Sequence, residues 1–75
     1  MKRNLRLLNA EDPNYIVEVN YNESISFTVR YVNDRNMGEF YFNIEDEFVS
    51  TLPDTEIQRL RHLIRGFVNQ YIEQL

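Results

Sequence analysis

Three stretches of this chain alternate between apolar and other side chains with a period of two, and then the period changes. In residues 15–21, Tyr15, Val17, Val19 and Tyr21 point one way and Ile16, Glu18 and Asn20 the other. In residues 25–32, Ile25, Phe27, Val29 and Tyr31 oppose Ser26, Thr28, Arg30 and Val32. In residues 39–44, Phe40, Phe42 and Ile44 oppose Glu39, Tyr41 and Asn43. Such alternation in β-branched and aromatic residues predicts half-buried antiparallel strands. Beyond residue 54 the apolar residues Ile57, Leu60, Leu63, Ile64, Phe67, Val68, Tyr71, Ile72 and Leu75 fall within about half a turn at ~100° per residue, which predicts an amphipathic helix.

The connections are short. Asn22, Glu23 and Ser24 supply turn chemistry, and a longer loop at 33–38 ends in Gly38, a residue able to take positive φ. Neighbouring strands so joined form a meander. Pro53 cannot continue an earlier helix and Asp54 is placed to cap the next one, with Glu56 suited to the positive end of the helix dipole. Two segments stay open. Residues 5–8 form either an edge strand or an ordered arm. Residues 45–52 either prolong the third strand or make a short helix, with the strand expected to stop near Ile44 because its parity would bury Asp46. The expected fold is therefore α+β. A three-stranded antiparallel meander, four-stranded if the N-terminal segment joins, is covered on one face by a long C-terminal helix. The expected organisation is one domain, 1–75, with the arm or edge strand in 1–10, the meander in 15–44 and the helix in 54–74.

A chain of 75 residues without cysteine has no disulfide to support a small core. Homodimerisation is one remaining support. The lack of cysteine suits a reducing compartment, and the start lacks the apolar run of a signal peptide, so a cytoplasmic location is expected. No run approaches the ~18 apolar residues of a membrane span. Glu45, Asp46 and Glu47 lack the alternating spacing of a calcium loop, and one histidine with no cysteine leaves zinc without ligands. Two glycines leave no phosphate-cradling loop. His62 falls off the apolar arc, with no nucleophile beside it in sequence. These observations predict no metal, no cofactor and no catalysis.

Charge carries the functional clue. Residues 9–56 hold eleven carboxylates against Arg30 and Arg35, a segment charge of −9 inside a chain of net −4. That balance disfavours direct binding to nucleic acid or to an anionic membrane. Strand parity puts Glu18, Glu39 and Tyr41 on the solvent face of the sheet. With Asp34 of the 33–38 loop and Glu45, Asp46 and Glu47 they make the candidate partner-binding residues. Carboxylates at alternate strand positions, ~6.6 Å apart, approximate a phosphate repeat. The arginines of the helix, Arg59, Arg61 and Arg65, are expected to flank the apolar stripe with their heads against the sheet's acids. In composition alone the chain resembles many small phage and mobile-element proteins, some of which inhibit host nucleases or polymerases by mimicking DNA. The resemblance implies an inhibitor or adaptor that binds a basic nucleic-acid-binding protein. The competing expectation is a self-associating structural subunit that uses residues 5–8 or an open strand edge.

Overall fold

A computed structural model describes residues 4–34 and 38–75. Four strands, β1 (Asn4–Glu11), β2 (Asn14–Asn20), β3 (Ser26–Val32) and β4 (Glu39–Phe42), precede a 3₁₀ turn at Val49–Thr51 and the helix α1 (Asp54–Glu73). The strands form one open antiparallel sheet in the order β1-β2-β3-β4. The fold is the expected α+β meander under a C-terminal helix, in its four-stranded form.

The N-terminal segment is a strand, longer than the expected one. Leu5 pairs with Val19 and Leu7 with Val17; the register then shifts, and Ala10 pairs with Tyr15. Leu8 is the extra residue of this bulge. A bulge inserts one unpaired residue and so resets which face each later side chain takes. Here it turns Ala10 inward, where unbroken alternation from Leu5 and Leu7 would have turned it out. Leu5, Leu7 and Ala10 all pack against the core.

That core lies between the sheet and α1. Val17, Val19 and Val29 from the two central strands and Leu60, Ile64 and Val68 from the helix are fully enclosed. The three helix residues are spaced four apart, so they lie one above another on one face. Burying each such side chain contributes ~1.5–3 kcal/mol before the entropy of ordering is subtracted. Aromatic rings close the two ends. Phe48 meets Tyr21 at 4.9 Å between centroids, and Tyr71 meets Tyr15 edge-on at 6.4 Å.

Four expectations need correction. Asp54 is the first helical residue, not the cap: the N-cap is Pro53, which makes no side-chain cap hydrogen bond. Strand β4 stops at Phe42, and Ile44 is 78% exposed instead of inward. The chain turns out of the sheet at Asn43, whose side-chain oxygen accepts from the Glu45 amide at 3.1 Å and whose carbonyl accepts from the Asp46 amide. Of the helix residues assigned to the apolar arc, Leu63 is exposed at its margin and Leu75 lies beyond the last turn in solvent. Neither glycine has positive φ, so Gly38 is needed for another reason. Within segment 45–52, Val49–Thr51 forms a short 3₁₀ helix.

Gly66 lies exposed on α1, and a Cβ built there meets nothing within 4 Å. Mid-helix glycine costs ~1 kcal/mol relative to alanine. Gly66→Ala should therefore raise stability by about that amount, seen as a higher denaturation midpoint with unchanged slope.

Candidate functional site

With α1 on one face, the other face of the sheet carries no second layer among the described residues. Strand pairing arranges its side chains in rows across the strands. One row runs Arg6, Glu18, Thr28; the next runs Asn9, Ile16, Arg30, Tyr41; a third runs Glu11, Asn14, Val32, Glu39. Ile16 and Val32 are half-buried among their neighbours, while Tyr41 and the bulge residue Leu8 are each 46% exposed. The middle row thus presents an aliphatic side chain, a guanidinium and a phenol side by side.

These groups are held by one another. The Arg30 guanidinium carbon lies 4.2 Å from the Tyr41 ring centroid, a cation–π contact. The same guanidinium donates to the Asn14 side-chain oxygen at 3.3 Å. Tyr41 donates its hydroxyl to Glu39 at 3.0 Å. That bond, then the carboxylate's charge, raises the Tyr41 phenol above its ordinary 10.0, with Arg30 pulling the other way. The neutral phenol is the form that donates, so the bond is present below 10.0 and lost as pH rises through the raised value. Alkaline titration of the phenolate absorbance should therefore show one tyrosine whose titration midpoint falls toward 10.0 in Glu39→Gln.

The expected carboxylates do not form one regular array. Glu18 and Glu39 do face outward, but on strands two apart and in different rows. Glu18 is paired by Arg6 at 3.0 Å. Glu45 lies beyond the opposite end of β4 from Glu39. Asp46 is used within the fold, since its carboxylate accepts from the Phe48 and Val49 amides at 2.9 and 3.1 Å and so starts the 3₁₀ turn. Glu45 and Glu47 are exposed beside it, and Asp34 is exposed at the far end of β3. Residues 35–37 of the expected binding loop lie outside the described residues. Carboxylates gather instead at the end of the molecule built by the β2–β3 turn, residues 43–52 and the start of α1. Glu23, Glu45, Glu47 and Asp54 are exposed there, while Glu56 accepts from the Tyr21 hydroxyl at 2.7 Å and pairs with Arg59 at 3.3 Å.

The helix arginines also differ from expectation. Arg59 pairs within its own helix. Arg61 and Arg65 meet no carboxylate among the described residues; their guanidinium carbons lie 5.9 and 5.2 Å from the Phe40 ring centroid on β4. The Nε of Arg61 is shut off from solvent and has no hydrogen-bond partner among the described residues. A donor left in that state costs ~1–3 kcal/mol.

The Arg30–Tyr41 contact is the feature that sequence reasoning missed. Its signal was present in part. A 33–38 loop flanked by Val32 and Glu39 in register brings Arg30 opposite Tyr41, as the strand pairing shows. The sequence offers residues 5–8 to a second copy, but Leu5 and Leu7 are used in the chain's own core, which leaves only Leu8 outward. Among the described residues no three His, Asp or Glu side chains are grouped to hold a metal ion, and no helix is long and apolar enough to cross a membrane.

No family model matches the chain, and no characterised protein or solved structure matches it either.

Proposed function

We propose that the protein is a non-enzymatic protein-binding module whose contact surface is the uncovered face of the sheet. The observation that carries this reading is the row Ile16–Arg30–Tyr41, with Leu8 at its margin. Protein interfaces enrich tyrosine and arginine around an apolar centre, and those residue types dominate binding energy. Arg30 and Tyr41 are already held in place by each other, by Asn14 and by Glu39, so binding would order few additional rotamers. The test is affinity capture from source-cell lysate with wild type, Ile16→Lys and Tyr41→Ala. Both positions lie on the outer face, so the variants should stay folded by circular dichroism and lose the captured partner. A partner retained by both folded variants rejects the face.

A second reading has one observation in its favour. Glu23, Glu45, Glu47 and Asp54 collect at one end with no cation bound to any of them among the described residues. An inhibitor or adaptor whose target is a basic nucleic-acid-binding protein would place that end in the target's groove. Its complex should weaken steeply with salt. Glu45→Lys with Glu47→Lys should reduce the captured amount at low salt, with Tyr41→Ala having no effect. A complex indifferent to salt and to this double reversal rejects it.

A further inference from the structure

No strand pairs with the outer edge of β4 among the described residues, and three arginines stand near it in a chain of net charge −4. Strand β4 closes the sheet on one side, so alternate backbone N–H and C=O groups of Glu39–Phe42 point away from β3. Below this edge, on the helix side, the Arg61 and Arg65 guanidiniums stand over Phe40. Above it, on the outer face, the Arg30 guanidinium stands over Tyr41. The other two described arginines, Arg6 and Arg59, each have a carboxylate partner; these three have none among the described residues. The one carboxylate on β4 itself, Glu39, accepts from Tyr41. Arg61 in addition keeps a solvent-screened Nε donor with no acceptor among the described residues.

We propose that the β4 edge takes up an extended acidic segment of a partner protein as an added strand. Backbone pairing along Glu39–Phe42 supplies the register, and carboxylates at successive positions of the incoming strand point to opposite faces, where they meet Arg61 and Arg65 on one side and Arg30 on the other. Charge complementarity selects this occupant over two others. Pairing β4 with β4 of a second copy would set the three guanidiniums of each copy along one seam against only the two Glu39 carboxylates, each already accepting from a Tyr41 hydroxyl. A nucleic acid strand would offer phosphates to the arginines but nothing that continues the ladder, and would meet a chain of net −4. This goes beyond the proposed function, since the surface is the sheet's edge with Arg61 and Arg65 on its helix side, and it shares only the Arg30–Tyr41 pair with the outer face.

The test uses the whole chain and a fluorescent peptide of the repeat Val-Glu-Glu, which puts carboxylates on both faces of an extended strand, with a Val-Lys-Lys peptide and a single-stranded oligonucleotide as comparisons. The glutamate peptide should bind, with affinity that falls with salt and drops about tenfold or more in Arg61→Ala/Arg65→Ala. A version N-methylated at every residue should lose binding, because neither of its edges can donate to the ladder. As a readout independent of the variant's stability, the wild-type amide resonances of Glu39–Phe42 should move on titration. Arg59→Ala should leave the affinity unchanged, because Arg59 is paired within α1, and the loss in Arg61→Ala/Arg65→Ala, on the helix side of the sheet, separates this edge from the outer-face contact. No binding overturns the proposal. So does equal binding by the lysine peptide or the oligonucleotide, amide shifts confined to other elements, or a solution mass showing that the edge is filled by a second copy.

Discussion

Leu60→Ala should cost ~2–5 kcal/mol of folding stability, whereas Leu63→Ala, three residues away, should cost under about 1 kcal/mol. Leu60 is fully enclosed, so its truncation removes the transfer energy of the side chain and leaves a cavity in the cluster it shares with Val17, Val29 and Ile64, which a close-packed core fills only in part. Leu63 is 41% exposed at the margin of the stripe and loses little. The absolute scale makes the larger effect visible. A 75-residue domain is held by ~4–11 kcal/mol at the usual ~0.05–0.15 kcal/mol per residue, so Leu60→Ala should remove a large share of the total. Urea denaturation followed by far-ultraviolet circular dichroism measures both. Equal costs at the two positions would mean that α1 is rotated from the face that Leu60, Ile64 and Val68 define.

That face is legible in the amino-acid order alone, because a helix repeats every ~3.6 residues whatever it packs against. The same holds for the inward parity of β2 and β3. Where periodicity misleads, the cause is a local hydrogen bond that overrides it. Ile44 continues the apolar parity of Phe40 and Phe42, yet the Asn43 side chain captures the Glu45 amide and the chain leaves the sheet. Leu8 interrupts the alternation of β1, and only the paired register shows that the interruption is a bulge and not an arm. Asp54 has the position and chemistry of a helix cap, while the carboxylate that does cap a turn is Asp46, earlier in the chain. On the candidate site, parity places Glu18, Glu39 and Tyr41 on the outer face correctly. It cannot show that Arg6 neutralises Glu18 or that Arg61 and Arg65 stand over Phe40 with no carboxylate partner among the described residues, because both depend on which strands are neighbours and on side-chain direction.

Gly38→Ala should destabilise the protein by ~1–3 kcal/mol, opposite in sign to Gly66→Ala. The reason is space, since neither glycine has positive φ. A Cβ at position 38 would fall inside van der Waals contact of the Tyr31 ring edge and hydroxyl. That ring has nowhere to retreat: it is 2% exposed and packs against Phe40 at 4.8 Å between centroids. The added methyl therefore has to displace the entry to β4, whose residue Phe40 is also the platform under Arg61 and Arg65. A double-mutant cycle isolates the cause. In a Tyr31→Leu background the ring edge is gone, so Gly38→Ala should cost little, and the coupling between the two sites should reach ~0.5–3 kcal/mol. Tyr31→Phe should rescue only partly, because it removes the hydroxyl and keeps the ring. If Gly38→Ala costs the same in all three backgrounds, crowding against Tyr31 is not why glycine occupies that position. If it costs little only beside leucine, one buried phenol ring fixes how the chain enters β4, and with it the height at which the two helix arginines stand above the open edge.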